Sequence, residues 1–371
     1  MSTHTERTSS TKQRKAKHLS ICTNPREYTI EHDDAGFGGI RFVHQALPEI
    51  SAASIDTTES FLGHEIAAPV FISCMTGGSE EGFRVNRDLA IAAERLRVPV
   101  GMGSIRVLFE HEEVFDHFHL KRFAPSVPVL ANIGGVQVRD LPRKSLVDAV
   151  KRLEADALVI HLNPGQELFQ PDGDRDFRGI REAIAEMCEE SPFPVIVKET
   201  GFGIAPAVVR DLLGLGVSYV DVAGGGGTNW VSVEGYRGDE ELQRETAEFD
   251  TWGIPTAHLL AAIRYNHGNA YDGRILASGG LRAGQDLAKS IALGAKLAGM
   301  ALPLVRAEVD GGVDAVVSMV ERMIAVVRAV MTLTSSVTVA DLRRAPLYPN
   351  ASFQAETRAL AEASARSRVR S

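Results

Sequence analysis

The sequence predicts an α/β protein folded as a (β/α)8 TIM barrel, and three observations carry that expectation. Short apolar, β-rich runs recur eight times from residue 69 onward. Each is followed by a longer stretch with helical spacing or charge, the alternation that builds a parallel sheet. Nearly every run ends in glycine or a polar residue, where a barrel of this kind assembles its active-site face.

Taken in order, the runs are Pro69–Cys74, Val98–Gly103, Val127–Gly134, Ala157–Asn163, Pro194–Glu199, Val217–Gly224, Arg274–Gly280 and Ala295–Leu302. They are apolar almost throughout, as parallel strands covered on both faces are. A doubly wound open sheet would give similar runs but would carry a glycine fingerprint after its first strand, and Met75-Thr76-Gly77-Gly78 is not one. The strand ends present Ser104, Asn132, His161 with Asn163, Lys198 with Glu199, Gly224–Thr228 and Ser278-Gly279-Gly280. Residues 1–12 read as a disordered basic tail rich in Ser and Thr, 13–345 as one barrel domain, and 346–371 as a C-terminal surface helix and tail. Residues 240–258 form a polar insertion after the sixth strand.

With 44% hydrophobic and 24% charged residues in 371, the composition excludes disorder throughout. A net charge of −8 gives no general attraction to nucleic acid or a membrane surface, so neither is an expected partner, and an anionic ligand needs a local positive site. Cys22, Cys74 and Cys188 form no Cys-x-x-Cys pair and read as reduced thiols. No apolar signal segment and no run of about 20 apolar residues is present, so the expected location is cytoplasmic.

Several constellations carry chemistry. Ser278-Gly279-Gly280-Leu281-Arg282 after the seventh run, with Gly299-Met300-Ala301 at the end of the eighth, stands where this fold binds phosphate: glycines let backbone N–H groups approach the oxygens. Lys198 would leave an ammonium inside the barrel. It needs an anionic partner, either an internal one such as Glu199 or Asp221, or the N1–C2 edge of a flavin. The segment from His161 through Asn163, Gln166 and Glu167 clusters polar groups where a strand meets its loop, and Glu167 offers one hard oxygen ligand of the kind Mg²⁺ prefers beside phosphates. Trp230 and Glu234 are one helical turn apart, setting an aromatic face beside a carboxylate. Near the N-terminus, where residues 1–20 hold five basic side chains against one acidic, stands Arg14-Lys15-x-x-His18.

Together these stretches resemble the type 2 isopentenyl-diphosphate isomerases from Arg14 to about Leu304. The resemblance includes His44 with Leu47-Pro48-Glu49, Met75-Thr76-Gly77-Gly78 with Asn86-Arg87, His161-Leu162-Asn163-x-x-Gln166-Glu167, Lys198-Glu199-x-Gly201-Phe202-Gly203, and Gly226-Gly227-Thr228-Asn229-Trp230. It implies a TIM barrel using reduced FMN, Mg²⁺ bound with a small-molecule diphosphate, NADPH as reductant, and a homo-oligomer, tetramer or octamer. The implied reaction is the interconversion of isopentenyl and dimethylallyl diphosphate by a 1,3-allylic proton shift. Residues matching the family's flavin contacts are Cys74, Met75, Thr76, Ser104, Asn132, Lys198, Thr228, Gly280, Arg282, Met300 and Ala301. Those matching its substrate contacts are Arg14, Lys15, His18, His161, Asn163 and Gln166, with Glu167 as metal ligand; Gln166, Glu167, Glu234 and Trp230 are the expected catalytic group. Two departures stand out: Ile105 follows Ser104 where the family usually has Gln, and Cys74 stands where Ala is usual. Two other readings compete. An FMN-dependent 2-hydroxy-acid oxidase would need a His base and an Arg near the end of the sixth strand, where this chain offers glycines and the more distant His258 and Arg264. The other is a non-catalytic flavin- or phosphate-binding barrel.

Overall fold

The computed structural model describes residues 4–75 and 77–367, with side chains from Arg14 onward. The eight expected runs form a closed barrel of parallel strands in sequential order. They are β1 (Val70–Ile72), β2 (Val100–Ser104), β3 (Val129–Gly134), β4 (Ala157–His161), β5 (Val195–Lys198), β6 (Tyr219–Asp221), β7 (Ile275–Ala277) and β8 (Ala295–Met300). The helices used below are α1 (His4–Thr23), α2 (Glu80–Leu96), α3 (Pro164–Phe169), α4 (Trp230–Gly235), α5 (Thr256–His267), α6 (Leu302–Leu333) and α7 (Ala351–Arg366).

Side chains alternate between the two faces of a strand, so the barrel wall has two apolar faces. Phe71, Leu130, Val159, Ile196, Leu276 and Leu297 fill a small interior cluster. Their neighbours one residue away, among them Val70, Ile72, Ala131, Ile160, Val197 and Ala277, join the large outer core under the helices. The N-terminal mouth is closed by an antiparallel hairpin, Glu59–Phe61 against His64–Ile66. Its two-residue turn, Leu62-Gly63, has φ of 52° and 81°, the left-handed pair that matches strand twist in tight hairpins. Phe61 and Ile66 complete the interior cluster, and Glu59 accepts from Lys296 Nζ (2.7 Å) and Arg343 Nη2 (2.9 Å).

Two terminal segments differ from expectation. The basic segment read as a disordered tail is helical from His4, within α1. The helix is fixed at its far end, where Leu19, Ile21 and Cys22 are buried, and propagation from a fixed turn costs far less than nucleation. The C-terminal surface helix exists as α7 but is tied down on both sides. Leu347–Pro349 pairs with Ile40–Phe42, Asn350 caps α7 by accepting from Phe353 N (2.9 Å), and Phe353 and Ala361 are buried.

Candidate active site

The site grows directly from the strand alternation. Two residues beyond Leu130, Val159, Ile196 and Leu276, on the same inward face, stand Asn132, His161, Lys198 and Ser278; Asp221 stands two beyond Tyr219. Register aligns them: Gly134 pairs with His161, His161 with Lys198, and Lys198 with Asp221. His161 Nδ1 lies 3.0 Å from Asn132 Oδ1. Burial, then the charges of Lys198 and Lys15, push the His161 imidazole down to about 3, so it is neutral at working pH.

Neither candidate carboxylate forms an ion pair with Lys198. Its buried ammonium donates to the Glu199 backbone carbonyl. The Glu199 carboxylate turns away to accept from the amides of Gly201 (2.6 Å) and Gly203 (3.0 Å). Asp221 accepts from Ser278 Oγ at 2.8 Å; burial pushes its carboxyl up, and Lys198 and Ser278 oppose that. The ammonium carries three protons, and two of them have no acceptor among the described residues.

The loops after β6 and β7 stack glycine on glycine. A Cβ on Gly279 would lie 2.1 Å from Gly224 O, and one on Gly227 would lie 2.7 Å from Gly280 N. Gly279 and Gly280 have φ of 97° and 75°, open to glycine without strain. Among the described residues, the amides of Gly279, Gly280 and Ala301 donate to no backbone acceptor. Arg282 lies beside them, its guanidinium lowered to about 10 by burial and by Arg306 and therefore still cationic near neutrality. Free amides, positive-φ glycines and a cation are the donor set a phosphate monoester requires, and the Lys198 layer beside them suits the electron-rich edge of a flavin. FMN fits this cavity of about 570 Å³, a volume typical of small-molecule sites.

The opposite wall is polar and interlocked. Asn163 opens α3 and donates from Nδ2 to Gln166 Oε1 (3.0 Å) and Glu167 Oε1 (3.1 Å). Gln166 Nε2 in turn donates to Glu234 Oε1 (3.0 Å). Asn229 caps α4, accepting from Val231 N and Ser232 N, and so orients Trp230 and Glu234. Glu234 is fully buried. Burial works to raise its carboxyl, but His18 (2.9 Å), Gln166 and a short pair with Arg237 hold it below the usual range. Trp230 meets His18 edge-on at 5.4 Å.

Helix α1 covers this mouth. Arg14 pairs with Asp172 at 3.0 Å, and Lys15 Nζ sits 3.5 Å from Ser104 O and 5.6 Å from the centre of the Phe118 ring. Burial, followed by Arg14 and Arg106, pushes Lys15 down to about 7. Glu167 is the one expected metal ligand; its Oε2 accepts from Asp174 N (2.9 Å), and no group of three or more His, Cys, Asp or Glu among the described residues could hold a metal. A single carboxylate beside cationic residues fits Mg²⁺ that arrives on a diphosphate rather than in a protein cage.

The cavity therefore gathers Arg14, Lys15 and His18 from α1; Cys74, Met75, Ser104 and Asn132 from the first three strand ends; and His161, Asn163, Gln166, Glu167 and Lys198. Thr228, Trp230, Gly280, Arg282, Met300 and Ala301 complete it. Thr76 lies outside the described residues. Glu234, expected in the catalytic group, does not line the cavity but stands behind Gln166, accepting from its Nε2. Ile105 is fully buried in the outer core and does not line the cavity, although its neighbours Ser104 and Arg106 do. Sequence reading missed Arg237, whose i+3 spacing from Glu234 was a legible signal, and Glu31 and Arg306, which had none. The oxidase pair is not at the cavity. The ring of His258 on α5 lies tilted, 4.3 Å from that of Phe353 of α7, and Arg264 faces Asp272.

Comparison with known proteins agrees with this geometry. A sequence profile of the FMN-dependent dehydrogenase family matches residues 174–349. The fold resembles a lactate oxidase from Pediococcus acidilactici (TM-score 0.62, 16% identity, covering 90% of this chain and 86% of that one). It also resembles a flavocytochrome b2 variant (TM-score 0.66, 18% identity, covering 92% and 84%). Fold and cavity together define a flavin-dependent barrel enzyme.

Sequence relatives are more particular. Isopentenyl-diphosphate delta-isomerase of Borreliella afzelii is 42% identical over 347 residues, 93% of this chain and 95% of that protein. That of Thermococcus onnurineus is 40% identical over 343 residues, 90% of each. The chain belongs to the isopentenyl-diphosphate delta-isomerase family.

Proposed function

We propose that the enzyme interconverts isopentenyl and dimethylallyl diphosphate by a 1,3-proton shift, with reduced FMN, Mg²⁺ and NADPH as the reductant that prepares the flavin. The observation that carries this reading is that Asn163 and Gln166, hydrogen-bonded to each other and backed by Glu234, face the same cavity as Lys198 and the phosphate cradle, while His258 and Arg264, the pair an oxidase would need, lie outside it. FMN, when bound, supplies an electron-rich ring and an exchangeable proton beside the alkene. Lys198 steadies negative charge on its reduced form. Arg14, Lys15 and His18 take the diphosphate, and Glu167 holds the Mg²⁺ that comes with it. Gln166 is fixed at both ends of its amide, so it presents one orientation to the reacting carbons, and the Trp230 face stabilises the cationic transition state. No net electrons move, so reductant is needed only to prime the flavin. The reading extends to a cytoplasmic tetramer or octamer, which sedimentation measures.

The test is anaerobic incubation of the FMN-loaded protein with isopentenyl diphosphate, Mg²⁺ and NADPH, beside a sample given lactate. Dimethylallyl diphosphate forming in many-fold excess over NADPH consumed is the expected result. Bleaching of the flavin by lactate without isomer formation would replace the reading with an oxidase; neither event would leave a binding protein. Gln166→Ala lowers turnover about 10²-fold while FMN affinity is retained.

A further inference from the structure

The loop that joins α1 to the barrel is woven through the phosphate cradle. Ile30 O accepts from Asn229 N (2.8 Å) and Ala35 O from Ala257 N (2.8 Å). Ala35 lies so close that a Cβ on Gly226 would sit 2.3 Å from its amide nitrogen. Between these anchors, the Glu31 carboxylate bridges two guanidiniums: Oε1 takes Arg282 Nη2, and Oε2 takes Arg306 Nη1 at 2.6 Å. Arg306, from the first turns of α6, also donates from Nε to Cys22 O (2.9 Å), a carbonyl in the last turn of α1. A continuous path thus runs from the β7 phosphate loop through Arg282, Glu31 and Arg306 to the helix that carries Arg14, Lys15 and His18.

Arg282 has five N–H donors, of which one goes to Leu281 O (2.8 Å) and one to Glu31. Among the described residues the rest have no acceptor, and Arg282 lines the cavity. Two guanidiniums thus share the Glu31 carboxylate, with Asp286, which accepts from Arg282 N at 3.0 Å, as the next carboxylate beside Arg282.

We propose that Glu31 is a positioning residue that couples the flavin-phosphate cradle to α1. A phosphate monoester on Arg282 redistributes the guanidinium's donors, and Glu31 passes the change through Arg306 to the end of the helix that binds the diphosphate. Linkage is reciprocal, so the factor by which the flavin phosphate tightens diphosphate binding equals the factor by which diphosphate tightens FMN over and above riboflavin. This rests on the reading of the β7 and β8 loops as the FMN phosphate site.

The probes are FMN and riboflavin, which differ only in the phosphate. In the wild-type protein, saturating FMN slows amide exchange over residues 14–23 about tenfold relative to saturating riboflavin, and strengthens binding of inorganic pyrophosphate with Mg²⁺ by a similar factor. Glu31→Gln still binds both flavins, but the difference between them falls below about twofold in both measurements; Arg306→Met, which cuts the path one link further on, does the same. A full FMN–riboflavin difference in either folded variant, or none in the wild type, overturns the coupling while leaving the phosphate site intact. Failure of the wild type to prefer FMN over riboflavin at all overturns both.

Discussion

The two mouths of the barrel are built by the same strands and the same alternation, yet they treat polar groups in opposite ways. At the N-terminal mouth, Glu59 is met by Lys296 and Arg343, and Asp156 by His64, Lys121 and the Val129 amide. Donor and acceptor there are matched within the protein, and the hairpin seals them in. At the C-terminal mouth, among the described residues, Lys198 has one hydrogen-bond acceptor, the Gly279 and Gly280 amides have no backbone acceptor, and Arg282 keeps donors in reserve. One mouth has its polar groups matched by folding; the other keeps donors unmatched by the described residues. The contrast predicts that damage at the top costs function and little stability, and that damage at the bottom does the reverse.

The largest expected effect is Lys198→Met. It removes the cation of the polar layer, and loss of a preorganised charge of this kind lowers turnover about 10²–10³-fold. Because burying an ammonium is costly, the apo variant should unfold at the same urea concentration as wild type or a higher one. A marked loss of stability would show that Lys198 is a structural ion after all and would break the comparison.

Next comes Glu59→Ala. It strands Lys296 and Arg343, whose side chains are 17% and 16% exposed, and removal of one member of a buried ion cluster costs about 3 kcal/mol. Denaturant unfolding should show the loss, with turnover per folded, FMN-loaded molecule unchanged. Altered chemistry would mean that the lower plug communicates with the upper layer.

Much of this contrast was legible in the chain. The eight runs and their polar ends located the barrel and its working mouth because strand alternation is local, and Asn132, His161 and Lys198 follow from it. What could not be read was the set of contacts closed by long-range packing. Glu31 meets Arg306, 275 residues away, and Arg14 meets Asp172 across 158. The placement of Glu234 behind Gln166 depends on the angle between α3 and α4, which no spacing encodes. The helix at the N-terminus is hidden in the sequence for a related reason: its composition is that of a free tail, and its anchor is the burial of Leu19, Ile21 and Cys22 further along.

A smaller effect sharpens the upper mouth. Lys15, lowered to about 7 from 10.5, is charged in the free enzyme below that pH and neutral above it. The kcat/KM for a diphosphate substrate, which reports the free enzyme, should therefore fall above pH 7 with a slope approaching tenfold per unit. The same shift has a stability consequence of opposite sign. Between about 7 and 10.5 the unfolded chain holds a proton that the folded one has released, so this contribution to stability grows with pH across that window and is constant below it. Lys15→Arg, charged throughout, should abolish the inflection in kcat/KM; an unchanged profile would assign it to another group.

The smallest effect concerns Cys74, where the family usually has Ala. The thiol fits only because residue 101 is glycine, since a Cβ there would lie 2.3 Å from its Sγ. Burial, partly offset by Lys198, pushes the thiol up to about 12, while Cys22 and Cys188 are pushed up to about 12 and 11. All three are thus protonated at pH 8 and poor nucleophiles. Iodoacetamide should leave the native protein unlabelled over the time that alkylates all three in urea, and Cys74→Ala should change turnover by less than about threefold, since it removes only one small, uncharged atom from a wall whose charges lie elsewhere. Rapid labelling of Cys74 in the native, FMN-free protein would instead reveal a thiolate beside Lys198. The upper mouth would then hold an anion of its own, and it would be less dependent on ligands than its unmatched donors imply.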